Sequence, residues 1–292
     1  MVLVALLWSM AGVVTRQLES ARAFEVTFWR SAFTALSLAI ILPVWQGPQA
    51  WRPLRRGGWA IWLSGACWAV MFTAFMVALT LTSVANVLIT LAAGPLLTAV
   101  VSRWVTGHQL PTRTWWAIGV AGLGIGWMFA SQLSNEGWMG FVVAFCVPIG
   151  GAVNWTLAQQ AKSLLHSSAE TAPNLVPAVA IGAWLSSAIT LPMALPFQAS
   201  AHDLGLLAVL GLFQLAIPCV LAVVCARALS APELSLLALL EVLFGTCLAW
   251  WGAGEQPSPT TVWGGSLVVA ALAANEGVAW WQLKQTHLPF DR

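Results

Sequence analysis

Charge is what this sequence has least of. Twelve Lys and Arg and ten Asp and Glu make up 8% of 292 residues, where a soluble domain carries roughly a quarter. So few charges cannot cover a water-facing surface, so an ordinary soluble enzyme is excluded and most of the surface must meet lipid. Tyrosine is absent, so an aromatic wall has to come from tryptophan and phenylalanine. Cysteine is sparse and odd in number. Cys67, Cys146, Cys219, Cys225 and Cys247 lie in apolar runs without a CxxC pair, which argues against a disulfide framework or zinc site and for inert core residues. His108, His166, His202 and His287 fall in different polar connections, so they form no i, i+4 metal pair on one helix. No Walker A loop occurs, so ATP bound to this chain does not drive its work. With a net charge of +2 and no basic run beyond Arg52, Arg55 and Arg56, nucleic acid is not an expected partner. No cofactor or metal is implied.

What is present is apolar: 59% of the residues, with a mean hydropathy of +0.82. A helix needs about 20 apolar residues to cross roughly 30 Å of hydrocarbon. Apolar stretches bounded by polar or Pro/Gly clusters fall at 1–16, 24–45, 58–80, 84–104, 114–131, 138–160, 173–196, 204–226, 233–252 and 261–282. The fold class expected is therefore all-α, a polytopic membrane protein with ten transmembrane helices and no separate soluble domain. The short alternating segments of a membrane barrel are missing. Lys and Arg collect in cytoplasmic connections. Alternate connections from the one after span 2, with the C-terminal tail, hold Arg52, Arg55, Arg56, Arg103, Arg113, Lys162, Arg227, Lys284 and Arg292, against Arg16 and Arg22 on the other side. Both termini are expected in the cytoplasm. Most tryptophans, such as Trp59, Trp116, Trp251 and Trp281, sit near span ends and read as interfacial anchors. The N-terminus lacks the positive n-region of a signal peptide and reads as a true span.

A shift of 147 residues lays the sequence on itself, pairing Ala5 with Ala152, Trp8 with Trp155, Ser83 with Ser230, Leu96 with Leu243, Trp104 with Trp251, and Trp116 with Trp263. Gly107 and Gln109 pair likewise with Gly254 and Gln256, a shared G-x-Q turn. Two repeats are expected, 1–134 and 135–292, with five spans each. Five is odd, so the second copy enters the membrane from the opposite side. Such inverted repeats are a signature of secondary transporters, because exchanging the conformations of the halves converts an inward-facing state to an outward-facing one. Met1 pairs with Pro148 although span 6 begins near Trp138. The natural start is thus expected upstream, or the first helix is expected to be short at its cytoplasmic end.

Several segments resemble the EamA-type drug/metabolite transporter superfamily: "ALLWSMAGVVTR" in span 1, "TFWRSAFTALSLAI" in span 2, "SVANVLITLAAGPLLTAVVSRWVTGHQLPTRTWWAIGVAGLGIG" over spans 4 and 5, and "SAPELSLLALLEVLFGTCLAWWGAGEQPSPTTVWGGSLVVAA" in the second copy. The resemblance covers essentially the whole chain. It implies a ten-helix inner-membrane carrier for small organic metabolites, commonly an exporter of amino acids, with a central cavity between the halves. Among its branches the chain is similar to the bacterial aromatic amino-acid exporters.

Polar groups deep in hydrocarbon are costly and become functional candidates. Glu241 lies about eight residues into span 9, the one acidic residue so placed. It reads as a protonatable coupling group or an anchor for a substrate ammonium, against a protonated Glu bonded to a neighbouring helix. Arg30 in span 2 reads as a fold anchor close enough to the external side to snorkel, and Glu276 as structural. Trp8 and Trp155 form a symmetric pair, one in each half. With Phe72 and Phe75, and with the internal Trp68 and Trp184, they are candidates for the walls of an aromatic cavity. Asn86, Asn154 and Gln214 are neutral groups able to bind a carboxylate or amine, or to bridge helices. Pro95, Pro148, Pro177 and Pro218 interrupt spans 4, 6, 7 and 8, which suits bending. Gly122 and Gly126 read as a GxxxG packing face.

The expected function is export of small amphipathic metabolites, most of all aromatic or neutral amino acids, by alternating access across the cell inner membrane. The partners are the small-molecule substrate, the lipid bilayer and protons. Phosphorylated cargo would want several Lys or Arg inside the bundle, and only Arg30 is there. An intramembrane lipid-modifying enzyme is the alternative. It would need His, Asp or Cys clustered near one interface, which the sequence lacks. A non-transporting membrane subunit is a further alternative.

Overall fold

The structure, a computed structural model, describes residues 1–56, 58–106, 112–132, 138–167, 174–228, 237–238, 240–254 and 258–286. Among the described residues the regular structure is all helical. In chain order the helices are α1 (Val2–Thr15), α2 (Ala23–Gln46), the short α3 (Arg52–Arg56), α4 (Gly58–Leu81), α5 (Val84–Leu91), α6 (Gly94–Thr106) and α7 (Thr112–Gln132). They continue with α8 (Trp138–Ser167), α9 (Val176–Ala194), α10 (Ala201–Val209), a π-helical stretch (Leu210–Ala216), α11 (Ile217–Ala228), α12 (Leu240–Ala253) and α13 (Pro259–Thr286). By length and composition six units can cross a membrane: α2, α4, α8, α9, α5 with nearly all of α6, and α10 continuing through the π stretch into α11. Together they make this a multi-pass membrane protein. α1 is apolar but has 14 residues against 30 in α8, roughly 21 Å at 1.5 Å per residue.

Local chemistry sets the ends. α2 stops at Gly47, whose φ of 72° suits a residue without Cβ. Ser83 caps α5 by accepting from the Asn86 N–H. Ser200 and Asp203 form a reciprocal capping box at the start of α10.

The helices pack in pairs: α1 on α12, α2 on α9, α4 on both α8 and α9, α7 on α13, α6 on α8, and the π stretch on α1 and α2. With α5–α6 and α10–π–α11 each counted as one unit, α1, α2, α4, α5–α6 and α7 can be exchanged in that order with α8, α9, α10–π–α11, α12 and α13. Each of these pairs then has a counterpart or maps onto itself. The packing of α4 on α8 corresponds to that of the π stretch and α11 on α1, and α1 on α12 to α5–α6 on α8.

Close backbone approaches hold these pairs. A Cβ on Gly182 of α9 would collide with Trp68, and one on Gly65 of α4 would come within 2.5 Å of Ile181, so α4 and α9 touch where neither carries a side chain. Between α7 and α13 the contact falls on Gly124, whose Cβ would lie 2.7 Å from the Gly264 carbonyl, whereas Gly122 has nothing within 4 Å. The GxxxG expectation therefore takes the wrong face, since two residues turn a helix by about 200°. The surroundings of Gly126 are not among what the structure describes.

Large apolar side chains cover the outside. Trp104, Trp116, Trp251 and Trp263 are all exposed, as expected for a surface facing lipid rather than water. Trp184, expected inside, is one of them, at 62% exposure. It points away from the Gly182 face that packs on α4. Cys146 and Cys247 are exposed as well, Cys225 is half-buried, and Cys67 and Cys219 are buried. Pro177 sits in the first turn of α9, where a missing N–H costs nothing, so it does not interrupt that span.

A central cavity and a clasp of buried carboxylates

A central cavity of about 160 Å³ lies where α1, α2, α4, α8, α11, α12 and the α5–α6 junction converge. That is room for on the order of ten water-sized spheres. Two distortions of the backbone and an internal proline sit at its wall. The α5–α6 junction at Ala92 and Ala93 is broken just before Pro95, and Leu91, Gly94 and Pro95 all face the cavity. Pro148 lies within the continuous helix α8 there and has no N–H to give to the carbonyl one turn back. The π stretch widens the helix before Pro218, which has no N–H to give to the carbonyl one turn back. Within that stretch Gln214 turns its side chain inward.

Six of the residues expected to bind substrate come together on the wall: Trp8, Phe72, Phe75, Trp155, Gln214 and Glu241. Trp68 joins them, tilted on Phe72 with centroids 5.4 Å apart and edge-on to Trp155 at 6.2 Å. Asn86 and Asn154 are placed elsewhere. Asn154 is buried and accepts from the Ser64 hydroxyl at 2.6 Å, tying α8 to α4. Asn86 donates to the Thr82 hydroxyl at 3.0 Å in the first turn of α5. The Asn154 bond joins two helices, whereas the Asn86 bond is local, to a residue four positions earlier. The side chain of Glu276 is outside the described residues.

Arg30 is the residue that sequence reasoning places least well. It does not snorkel: the side chain is fully buried and lines the cavity. Its Nη1 donates to Gln214 Oε1 at 3.1 Å, its Nη2 to the Phe72 carbonyl at 2.8 Å, and the guanidinium sits 5.9 Å from the centroid of Phe75. The signal is present in the sequence as the sole cation well inside a span, away from its ends. Glu241 is the acidic residue on the wall and stays partly accessible.

A second cluster of buried charge lies at the end of the bundle where the α1–α2 and α9–α10 connections meet. Asp203 is fully buried and accepts from the N–H groups of Glu19, Ser20 and Ala21 at 2.9 to 3.0 Å and from the Ser20 hydroxyl at 2.8 Å. Glu25, equally buried, accepts from the N–H groups of Gln198 and Ala199. Arg22 donates to the carbonyls of Ala194 and Pro196. Each connection is therefore held by a carboxylate from the first turn of the helix that follows the other one. Neither acid stands out in the sequence as a buried charge. The Ser200-x-x-Asp203 spacing was the available signal, because it marks a helix start.

Residues 1–130 match the family model of EamA-like transporters. The comparison with curated proteins gives no match. Among solved structures, one described only as the crystal structure of a protein superposes with a TM-score of 0.63 at 17% identity. It covers 98% of this chain and 96% of the other, and at that identity the likeness is one of fold. The family match over the first 130 residues indicates a membrane transporter of small molecules.

Proposed function

We propose that this protein is a secondary carrier that exports small amphipathic metabolites, most of all aromatic or neutral amino acids, by alternating access across a cell inner membrane. Both termini are cytoplasmic, and two inverted halves, 1–134 and 135–292, rock about the central cavity. One observation carries this reading. Twelve of the cavity-lining residues form six pairs separated by 147 positions: Trp8 with Trp155, Trp68 with Leu215, Phe72 with Cys219, Leu91 with Ala238, Gly94 with Glu241, and Pro95 with Val242. A cavity whose wall is drawn twice from equivalent places lies on the axis that relates the halves, which is where an inverted-repeat carrier binds its cargo. The exchange relation among helix pairs supports the same axis. The aromatic wall suits a flat apolar side chain, and Glu241 is the group to meet an ammonium or carry a proton.

The test is counterflow in liposomes loaded with unlabelled amino acid and given the labelled compound outside. Saturable accumulation that disappears when the internal substrate is omitted is the expected result. No saturable exchange for any amino acid or amine tested overturns the reading.

A further inference from the structure

We propose that Arg30 is the group that recognises the carboxylate of the cargo, so that the substrate class is set by a buried cation on α2 as much as by the aromatic wall. This rests on the carrier reading above and assigns the chemistry of its site. A guanidinium has five N–H donors. Arg30 uses one for Gln214 and one for the Phe72 carbonyl. Its Nε is enclosed and has no hydrogen-bond partner among the described residues, and the same is true of the indole Nε1 of Trp68. Both side chains line the cavity. Among the described residues no carboxylate comes within ion-pair distance of Arg30. The acid nearest in function, Glu241, shares the cavity wall without bonding to it.

A buried charge left without a counter-ion is strongly unfavourable, and buried donors without acceptors add to that cost. A planar fork held by Gln214 and Phe72 over the face of Phe75 is preorganised for a carboxylate. An entering carboxylate supplies the missing negative charge to the guanidinium, whose side chain lines the cavity. Glu241 faces the same space from α12, so an amino acid lies with its carboxylate toward Arg30, its ammonium toward Glu241, and its side chain among the tryptophans. Amines without an acid group leave Arg30 unmatched and are rejected.

The test compares phenylalanine with phenylalaninamide and phenethylamine, which keep the ring and the amine and lack the carboxylate. Ligand-induced shifts of the apparent melting temperature of the purified full-length chain give binding, and counterflow gives transport. The wild-type protein is expected to bind phenylalanine at least tenfold more tightly than either analogue. Arg30→Gln is expected to bring phenylalanine and phenylalaninamide within twofold of each other. Arg30→Lys, which keeps the charge and loses the fork, is expected to fall between. Should Arg30→Gln not fold, the wild-type comparison alone decides. Equal binding of phenylalanine and its amide by the wild type, or binding of none of the three, overturns the assignment. So does an Arg30→Gln variant that weakens both compounds by the same factor. Failure of the carrier reading looks different: phenylalanine still binds selectively, and the wild type shows no counterflow.

Discussion

Two groups of buried charge divide this molecule. At the clasp, Glu25 and Asp203 have their oxygens met by backbone N–H groups and a hydroxyl. In the cavity, Arg30 keeps an unused N–H and has no counter-ion among the described residues, while Glu241 faces open space. Burial alone does not distinguish structure from function here. What distinguishes them is whether the group's hydrogen-bonding capacity is already filled by the protein. A filled charge holds two connections together, and an unfilled one is, under the proposed function, left for the cargo.

The comparison is broken or sharpened by removing one charge at a time and reading stability and transport separately. Asp203→Ala should have the largest effect on stability. It strands three N–H groups and a hydroxyl, and hydrogen bonds to a charged group are worth about 1.5–3 kcal/mol each in favourable cases. Because the site is near an end of the bundle and the stranded groups regain some water, the net loss should be about 3 kcal/mol. It should appear as a lower melting temperature of the purified protein, with substrate affinity preserved in the fraction that stays folded. An unchanged melting temperature would mean the clasp is not structural.

Glu25→Ala should follow, at about 2 kcal/mol, because it releases two N–H groups where Asp203 releases three and a hydroxyl. Since each acid secures the connection that precedes the other's helix, the double variant should cost less than the sum of the two. Additive losses in the same melting assay would show that the two halves of the clasp act independently.

The helices were the most legible part of the sequence, because apolar run length and punctuating Pro and Gly are properties of single segments. α2, α4 and α8 begin within one residue of the expected starts, and the 147-residue shift pairs residues that share the cavity wall. What single segments do not carry is rotational phase. Trp184 and Gly122 turn outward although both lie in apolar stretches that offer no polar stripe to orient them. Asn154 and Gln214 looked alike in the sequence, and only packing sends one to Ser64 and the other to Arg30. The sequence shows the depth of Arg30 along its helix but not its direction around it, so snorkelling is expected where the side chain in fact turns inward to Gln214 and the Phe72 carbonyl. The clasp acids sit at span ends, where a charge ordinarily meets water. Their burial arises from two loops far apart in sequence folding over each other.

Asn154→Ala separates a bridge from a binding group. The Ser64–Asn154 bond joins α4 to α8 behind the wall, and interhelical polar contacts of this kind contribute about 0.6–2 kcal/mol. A loss of about 1 kcal/mol in thermal stability is expected, with the KM for counterflow within twofold of wild type. A tenfold rise in KM at unchanged stability would bring Asn154 back to the substrate.

Glu241→Gln should cost least in stability and most in function. The substitution keeps shape and removes only the acid. No hydrogen bond to the Glu241 carboxyl contributes to the packing among the described residues, so the melting temperature should stay within what about 1 kcal/mol produces. Counterflow of a zwitterion, by contrast, should be lost, because the ammonium then enters a site with no matching charge and stays desolvated. A variant that transports at the wild-type rate with the wild-type dependence on pH would place Glu241 with the clasp acids. Unfilled capacity would then no longer mark the functional charges of this protein.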